Sequence, residues 1–156
     1  MKTKYSFLVL IILFLVLSAC TLKEPLMDQP AQDGNYHYRN KDLGFNLVLP
    51  SEFIYYQTQR KETDDFIDLE FFVPTSDTAY FQEVFGYAKP IVIRIFNKNY
   101  WESISNQGGE QIIYQKLGEK KDFVYSIRFW QLPPADWQAK WTEEMKQWLI
   151  NNFEII

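Results

Sequence analysis

Phe66-Ile67-Asp68-Leu69-Glu70-Phe71-Phe72-Val73 is the stretch whose reading decides the fold. Side chains alternate across a strand, so Ile67, Leu69, Phe71 and Val73 share one face while Asp68, Glu70 and Phe72 occupy the other. The neighbouring segments follow the same rule. Ile91 to Phe96 is an apolar strand with Arg94 on its second face, and Ile54 to Gln59 is a further strand. In Asp122 to Trp130, Phe123, Tyr125, Ile127 and Phe129 face one way, and this segment forms a hairpin with Gln111 to Lys116 across a turn at Leu117 to Lys121. Nearer the start, Tyr36 to Arg39 and Phe45 to Pro50 make another hairpin around Asn40-Lys41-Asp42-Leu43-Gly44, with Phe45, Leu47 and Leu49 on one face.

Helical signals are fewer. Ser76 or Asp77 can cap a helical turn through Tyr80, Phe81, Val84 and Phe85 that ends at Gly86, and Asn99 to Ser105 reads as one short helix closing at Gly108-Gly109. After Pro133-Pro134, Asp136 suits the N-cap of a closing helix that carries Trp137, Trp141, Trp148 and Leu149 on one face with Met145 between them. Asn151-Asn152 suits its stop, and Phe153 to Ile156 returns to strand periodicity. Strands joined by hairpins and interrupted by a few helices specify an α+β domain on a mainly antiparallel sheet flanked by helices.

The first twenty residues have a different character. Lys2 and Lys4 precede an unbroken run of Phe, Leu, Val and Ile from Phe7 to Leu17, after which Ser18 and Ala19 lead to Cys20. A charged start, an apolar middle and a small-residue cleavage site are the parts of a secretory signal. The run is shorter than the roughly 20 residues that cross a bilayer. Leu17-Ser18-Ala19-Cys20 resembles the lipobox of bacterial lipoproteins, which implies cleavage before Cys20 and acylation of its thiol. The expected organisation is therefore a signal peptide over 1–19, a lipidated Cys20 with a tether over 20–35, and a domain over 36–156. The tether, TLKEPLMDQPAQDGN after Cys20, has two prolines, a glycine and no apolar period. Fully extended it reaches about 50 Å.

Composition narrows the function classes. The chain has 156 residues, is 47% hydrophobic and 18% aromatic, and sets 16 basic residues against 20 acidic ones. One compact domain is the ceiling. Loss of Lys2 and Lys4 with the signal leaves 14 basic against 20 acidic residues, a formal −6, which disfavours a nucleic-acid partner. One Cys and one His cannot make a disulfide or a Cys/His metal cage. No cofactor is expected. His37 has no Ser or Cys motif beside it, so nucleophilic catalysis is not indicated. Glu62, Asp64, Asp65, Asp68 and Glu70 could hold a cation or serve glycoside hydrolysis, but a solvated loop and an outward strand face explain them more simply. Among the many aromatic residues Phe72 and Trp130, on non-core strand faces, are the better candidates for a binding surface.

Several short motifs resemble the PsbP-like domains of photosystem extrinsic subunits and bacterial lipoproteins. These are Tyr36 and Asn40, Gly44-Phe45 with Leu49-Pro50, Gly118 followed by Phe123-Val124-Tyr125, and Trp148-Leu149 before Phe153-Glu154-Ile155. Phe53 stands where many relatives carry Trp. The resemblance spans Tyr36 to Ile156 and implies a sheet flanked by helices that acts as a docking module without catalysis. No functional residue carries over. The expectation is a lipid-anchored extracytoplasmic module that binds an envelope protein. A small ligand or carbohydrate is the second reading and an envelope hydrolase the third. Thr21 in place of Asp is a hint toward an outer membrane where a cell has two. Because acylation needs the free thiol, Cys20→Ser should abolish lipid transfer and lipoprotein-type processing. Mass spectrometry of the membrane fraction checks this, and an unmodified Cys20 in the mature chain would refute the anchor.

Overall fold

The computed structural model describes residues 30–106 and 113–156, so the signal segment, Cys20, most of the tether and the Gly108-Gly109 turn lie outside the described residues. Along the chain run β1 (Tyr36–Asn40), β2 (Phe45–Leu49), β3 (Gln57–Glu62), β4 (Phe66–Pro74), β5 (Tyr87–Asn97), α1 (Lys98–Asn106), β6 (Gln115–Lys120), β7 (Phe123–Phe129), α2 (Glu143–Asn151) and β8 (Phe153–Ile155). The strands build two antiparallel sheets rather than one. Three strands are ordered β1-β2-β8, and five are ordered β3-β4-β5-β7-β6.

The alternation in β4 sets the packing. Ile67, Leu69 and Phe71 lie opposite Ile95, Ile93 and Ile91 of β5, and Ile93 and Ile95 in turn lie opposite Ile127 and Tyr125 of β7. This apolar face meets Tyr36, Phe45, Leu47 and Leu49 of the smaller sheet, with Leu149 and Met145 of α2 closing the layer. Phe45, Leu47, Leu49, Phe71, Ile91 and Leu149 are fully enclosed. Rings lock across the two sheets, with Tyr38 and Phe71 centred 5.1 Å apart in an edge-on arrangement.

Two glycines permit close approach. Gly44 ends the first turn at φ +72, where Asn40 Oδ1 accepts from the Leu43 amide at 2.9 Å. A Cβ there would lie 3.2 Å from the hydroxyl of Tyr125, which donates to the Leu43 carbonyl. At Gly118, in the bulge of β6, a Cβ would come within 2.8 Å of Ile155 Cδ1, so a larger residue there would make the Ile155 side chain shift.

The sequence reading is corrected at five places. The strand expected over Ile54 to Gln59 begins at Gln57, because Ser51–Phe53 forms a 3-10 turn and Tyr55 takes φ +59. The second hairpin turns at Lys121-Asp122, with Lys121 at φ +53, so Leu117 to Lys120 belong to β6. Ser76 to Gly86 is a loop of turns without a helix, closed by the Thr75 amide donating to the Gly86 carbonyl at 2.9 Å. The closing helix starts at Glu143 with Thr142 as its N-cap, whereas Ala135–Trp137 is a separate 3-10 turn. The break between them rotates the tryptophans apart. Trp137 and Trp141 are buried, but Trp148 is 39% exposed and its indole N–H donates to the Val48 carbonyl.

The two tryptophans should therefore separate in denaturant unfolding. Trp141→Ala removes a buried ring that packs on Trp130 at 5.1 Å and on Phe129 at 5.8 Å, and should cost about 3–5 kcal/mol. Trp148→Ala, losing a half-exposed ring and one hydrogen bond, should cost about 1 kcal/mol. Equal losses would contradict this placement.

Candidate functional site

The second face of β4 does not meet solvent. Asp68, Glu70 and Phe72 are all buried, at 7%, 4% and 2% exposure, which corrects both the solvated-face reading of the acids and the surface reading of Phe72. The cause is that chain on either side of β5 folds back over this outer face of the five-stranded sheet. At one end α1 and Tyr114 cover Phe66, Phe96 and Val124. At the other, Tyr80 and Glu83 of the 75–86 loop border a small cleft with Phe72 and Lys89, and Glu83 meets Lys89 at 2.6 Å.

Charges enclosed in this way must be paired. Asp68 lies directly opposite Arg94, whose Nε and Nη2 donate to the two carboxylate oxygens at 2.6 and 2.7 Å. Phe66 packs under the guanidinium at 3.6 Å from its ring centre. Glu70 meets Lys89 at 2.8 Å through Oε1 and Lys61 at 2.7 Å through Oε2. Both lysines also reach Glu83, at 2.6 Å from Lys89 and 3.4 Å from Lys61. The hydrogen bond from Lys89 holds the Glu83 carboxyl below its ordinary pKa, and that from Lys61 to Glu70 raises the Lys61 ammonium above its own.

Between the two covering segments the face opens into a cavity of about 760 Å³. β6 begins at Gln115, opposite Ile127, so the edge of β7 from Arg128 onward has no strand beside it among the described residues. Val92 and Arg128, opposite one another on the outer face, meet the opening. Tyr80, Trp130, Leu132, Ile113 and Tyr114 contribute aromatic and aliphatic lining. Lys89, Gln115 and Gln131 add polar groups, and no Asp or Glu lines the space among the described residues. Arg128 is half-buried, with its guanidinium 5.5 Å from the Tyr114 ring centre, and meets no carboxylate within ion-pair distance among the described residues.

A clamp between loops supports one wall. Asp136 Oδ1 accepts from the Thr75 hydroxyl at 2.8 Å and Oδ2 from the Ser76 amide at 2.9 Å, while Asp77 Oδ2 accepts from the Ala135 amide at 2.8 Å. The Trp137 indole N–H donates to the Pro74 carbonyl. Burial pushes the Asp136 carboxyl upward, but the bonds from Ser76 and Thr75 prevail and leave its pKa lowered. Asp136 and Asp77 are thus cross-loop acceptors, in place of the Asp136 helix cap expected from sequence.

Trp130, the other surface candidate, is 9% exposed. It sits among Trp137 at 5.7 Å, Trp141 at 5.1 Å and Tyr80 at 6.4 Å, so it is a core residue that also lines the cavity. Asp64 and Asp65 stay exposed, and no group of three or more His, Cys, Asp or Glu side chains converges among the described residues. His37 lies on the exposed side of β1 with Nε2 2.8 Å from Asp33 Oδ2. Arg128, Lys89, Tyr80 and Leu132 were not singled out from sequence. Two arginines on the second faces of adjacent apolar strands were the available signal. No helix among the described residues is long and apolar enough to cross a membrane. Compared with family models, curated proteins and solved structures, the chain finds no match.

Two tests follow from the charge pairing. Asp68→Asn should cost about 3–5 kcal/mol by stranding a buried guanidinium, while Asp68→Leu with Arg94→Met should cost markedly less in the same urea titration. Asp136→Asn should loosen the clamp at neutral pH. A carboxylate whose folded pKa is lowered stabilises above its unfolded pKa, and this is lost as pH falls through the folded value. The stability gap between wild type and Asp136→Asn should accordingly close in acid. A gap independent of pH would show that the charge of Asp136 plays no part.

Proposed function

We propose that this chain is a lipid-anchored extracytoplasmic binding module of the PsbP-like kind, without catalysis, and that the cavity beside β7 is where it holds a small ligand. The observation that carries this reading is the convergence of Arg128, Lys89 and two glutamines with aromatic and aliphatic walls in one opening of about 760 Å³. Ligand sites of this type occupy about 300–1,000 Å³ and combine apolar walls with a few placed polar groups. The Leu17 to Cys20 motif supports the anchor, and antiparallel strands accompanied by two helices support the α+β class that the PsbP-like resemblance implies, although in two sheets rather than one. Binding of an envelope protein is the second reading, and Phe81 at 81% and Phe85 at 96% exposure favour it.

The two readings predict different losses. The full-length chain, taken from its native membrane and analysed by native mass spectrometry, should carry a small molecule. Leu132→Trp with Gln115→Trp, which narrows the opening, should lose that molecule. Under the second reading Phe81→Ser with Phe85→Ser abolishes crosslinking to an envelope protein, and the opening carries nothing. That second pattern would overturn the ligand proposal.

A further inference from the structure

We infer that the cavity takes an amphipathic organic anion, with Arg128 as the side chain that pairs with its carboxylate or phosphate. The inference rests on the ligand-binding reading above and adds the chemical class. Among the cations of this face, Arg94 is engaged by Asp68, and Lys89 and Lys61 share Glu70 and Glu83. Arg128 alone of these four meets no carboxylate among the described residues, although the chain has 20 acidic residues to 16 basic ones. Arg128 is half-buried at a water-accessible opening, so an anion arriving there can take charge-assisted hydrogen bonds from it without displacing a carboxylate of the described residues.

The surroundings suit such a ligand at both ends. A guanidinium presents a planar fork that matches a carboxylate or a phosphate bidentately, and the Tyr114 ring contacts Arg128 without consuming that hydrogen-bonding edge. With no Asp or Glu lining the opening among the described residues, nothing there repels a negative group. The rest of the ligand meets Trp130, Tyr80, Leu132 and Ile113, an apolar surface that a bare inorganic ion would leave unused. An apolar body with one acidic head answers both features.

The test uses the full-length chain in phosphatidylcholine nanodiscs, titrated by calorimetry with 4-phenylbutyrate, phenyl phosphate and neutral 4-phenylbutyramide. Wild type should bind one or both anions saturably, with the amide at least about tenfold weaker. Arg128→Gln should raise the Kd of the anions about tenfold or more and leave that of the amide unchanged, and Arg128→Lys should fall between. The anion with the lower Kd identifies the head group. Binding that does not distinguish anions from the amide, or an anion Kd that Arg128→Gln leaves within about twofold, overturns the anion assignment while the cavity reading stands. Absence of saturable binding by all three probes overturns both. Near-ultraviolet circular dichroism of Arg128→Gln controls for folding, since this substitution removes no ion pair.

Discussion

Asp68 and Arg94 face each other across the two central strands with both hydrogen bonds of a bidentate pair formed, and the arrangement of the molecule depends on that match. Neither charge tolerates burial alone, so a slip of β4 against β5 by one residue would enclose two unpaired ions and turn Ile67, Leu69 and Phe71 away from the core. The pair therefore selects a register as much as it adds stability. Once β4 and β5 are set, β7 follows through Ile93 opposite Ile127. The inner face of the larger sheet is then complete enough to receive Phe45, Leu47 and Leu49.

What could be read from the sequence was what period two encodes. The first hairpin, β4, β7, the short closing strand and α1 lie close to where alternation and turn residues put them, and β5 contains the expected Ile91 to Phe96 but starts four residues earlier at Tyr87. Some misreadings treated a long-range interaction as a local one, while the start of β3 and the second hairpin turn were displaced by left-handed residues, Tyr55 and Lys121, that alternation does not mark. Asp136 and Asp77 look like helix caps because an acceptor before a run of apolar residues is the usual sign of one, yet their partners are 58 to 61 residues away. The indole positions of the closing segment fit one helical face only if the helix is continuous, and Thr142 restarts it. The division into two sheets was equally hidden, since β8 pairs with β2 across almost the whole chain.

The candidate site was the least legible part, for a physical reason. Asp68, Glu70 and Phe72 were assigned to solvent because a half-polar strand face normally meets water. Here α1 with Tyr114 and the loop from Thr75 to Gly86 cover that face, and nothing in the periodicity of β4 announces a cover contributed by other segments. The same cover makes the cavity. It leaves open the stretch where β6 stops at Gln115 while β7 runs on through Arg128 to Phe129, so the site is a mismatch in strand length that two loops border.

This origin divides the roles of the two faces of one sheet. The inner face is closed by apolar contacts that any substitution of size disturbs, whereas on the outer face Arg94, Lys61 and Lys89 meet carboxylates and Arg128 meets none among the described residues. A protein that needed nothing but stability could place Gln or Thr there at little cost, since exposed and half-exposed positions tolerate such changes. Arg128 instead sits at an opening of the outer face, near an aromatic ring and beside an apolar wall. Lys89 borders the same opening but is held by Glu70 and Glu83, whereas Arg128 meets no carboxylate among the described residues. On the proposed reading, that difference separates Arg128 as a recognition group from the Asp68–Arg94 pair that holds the sheet in register.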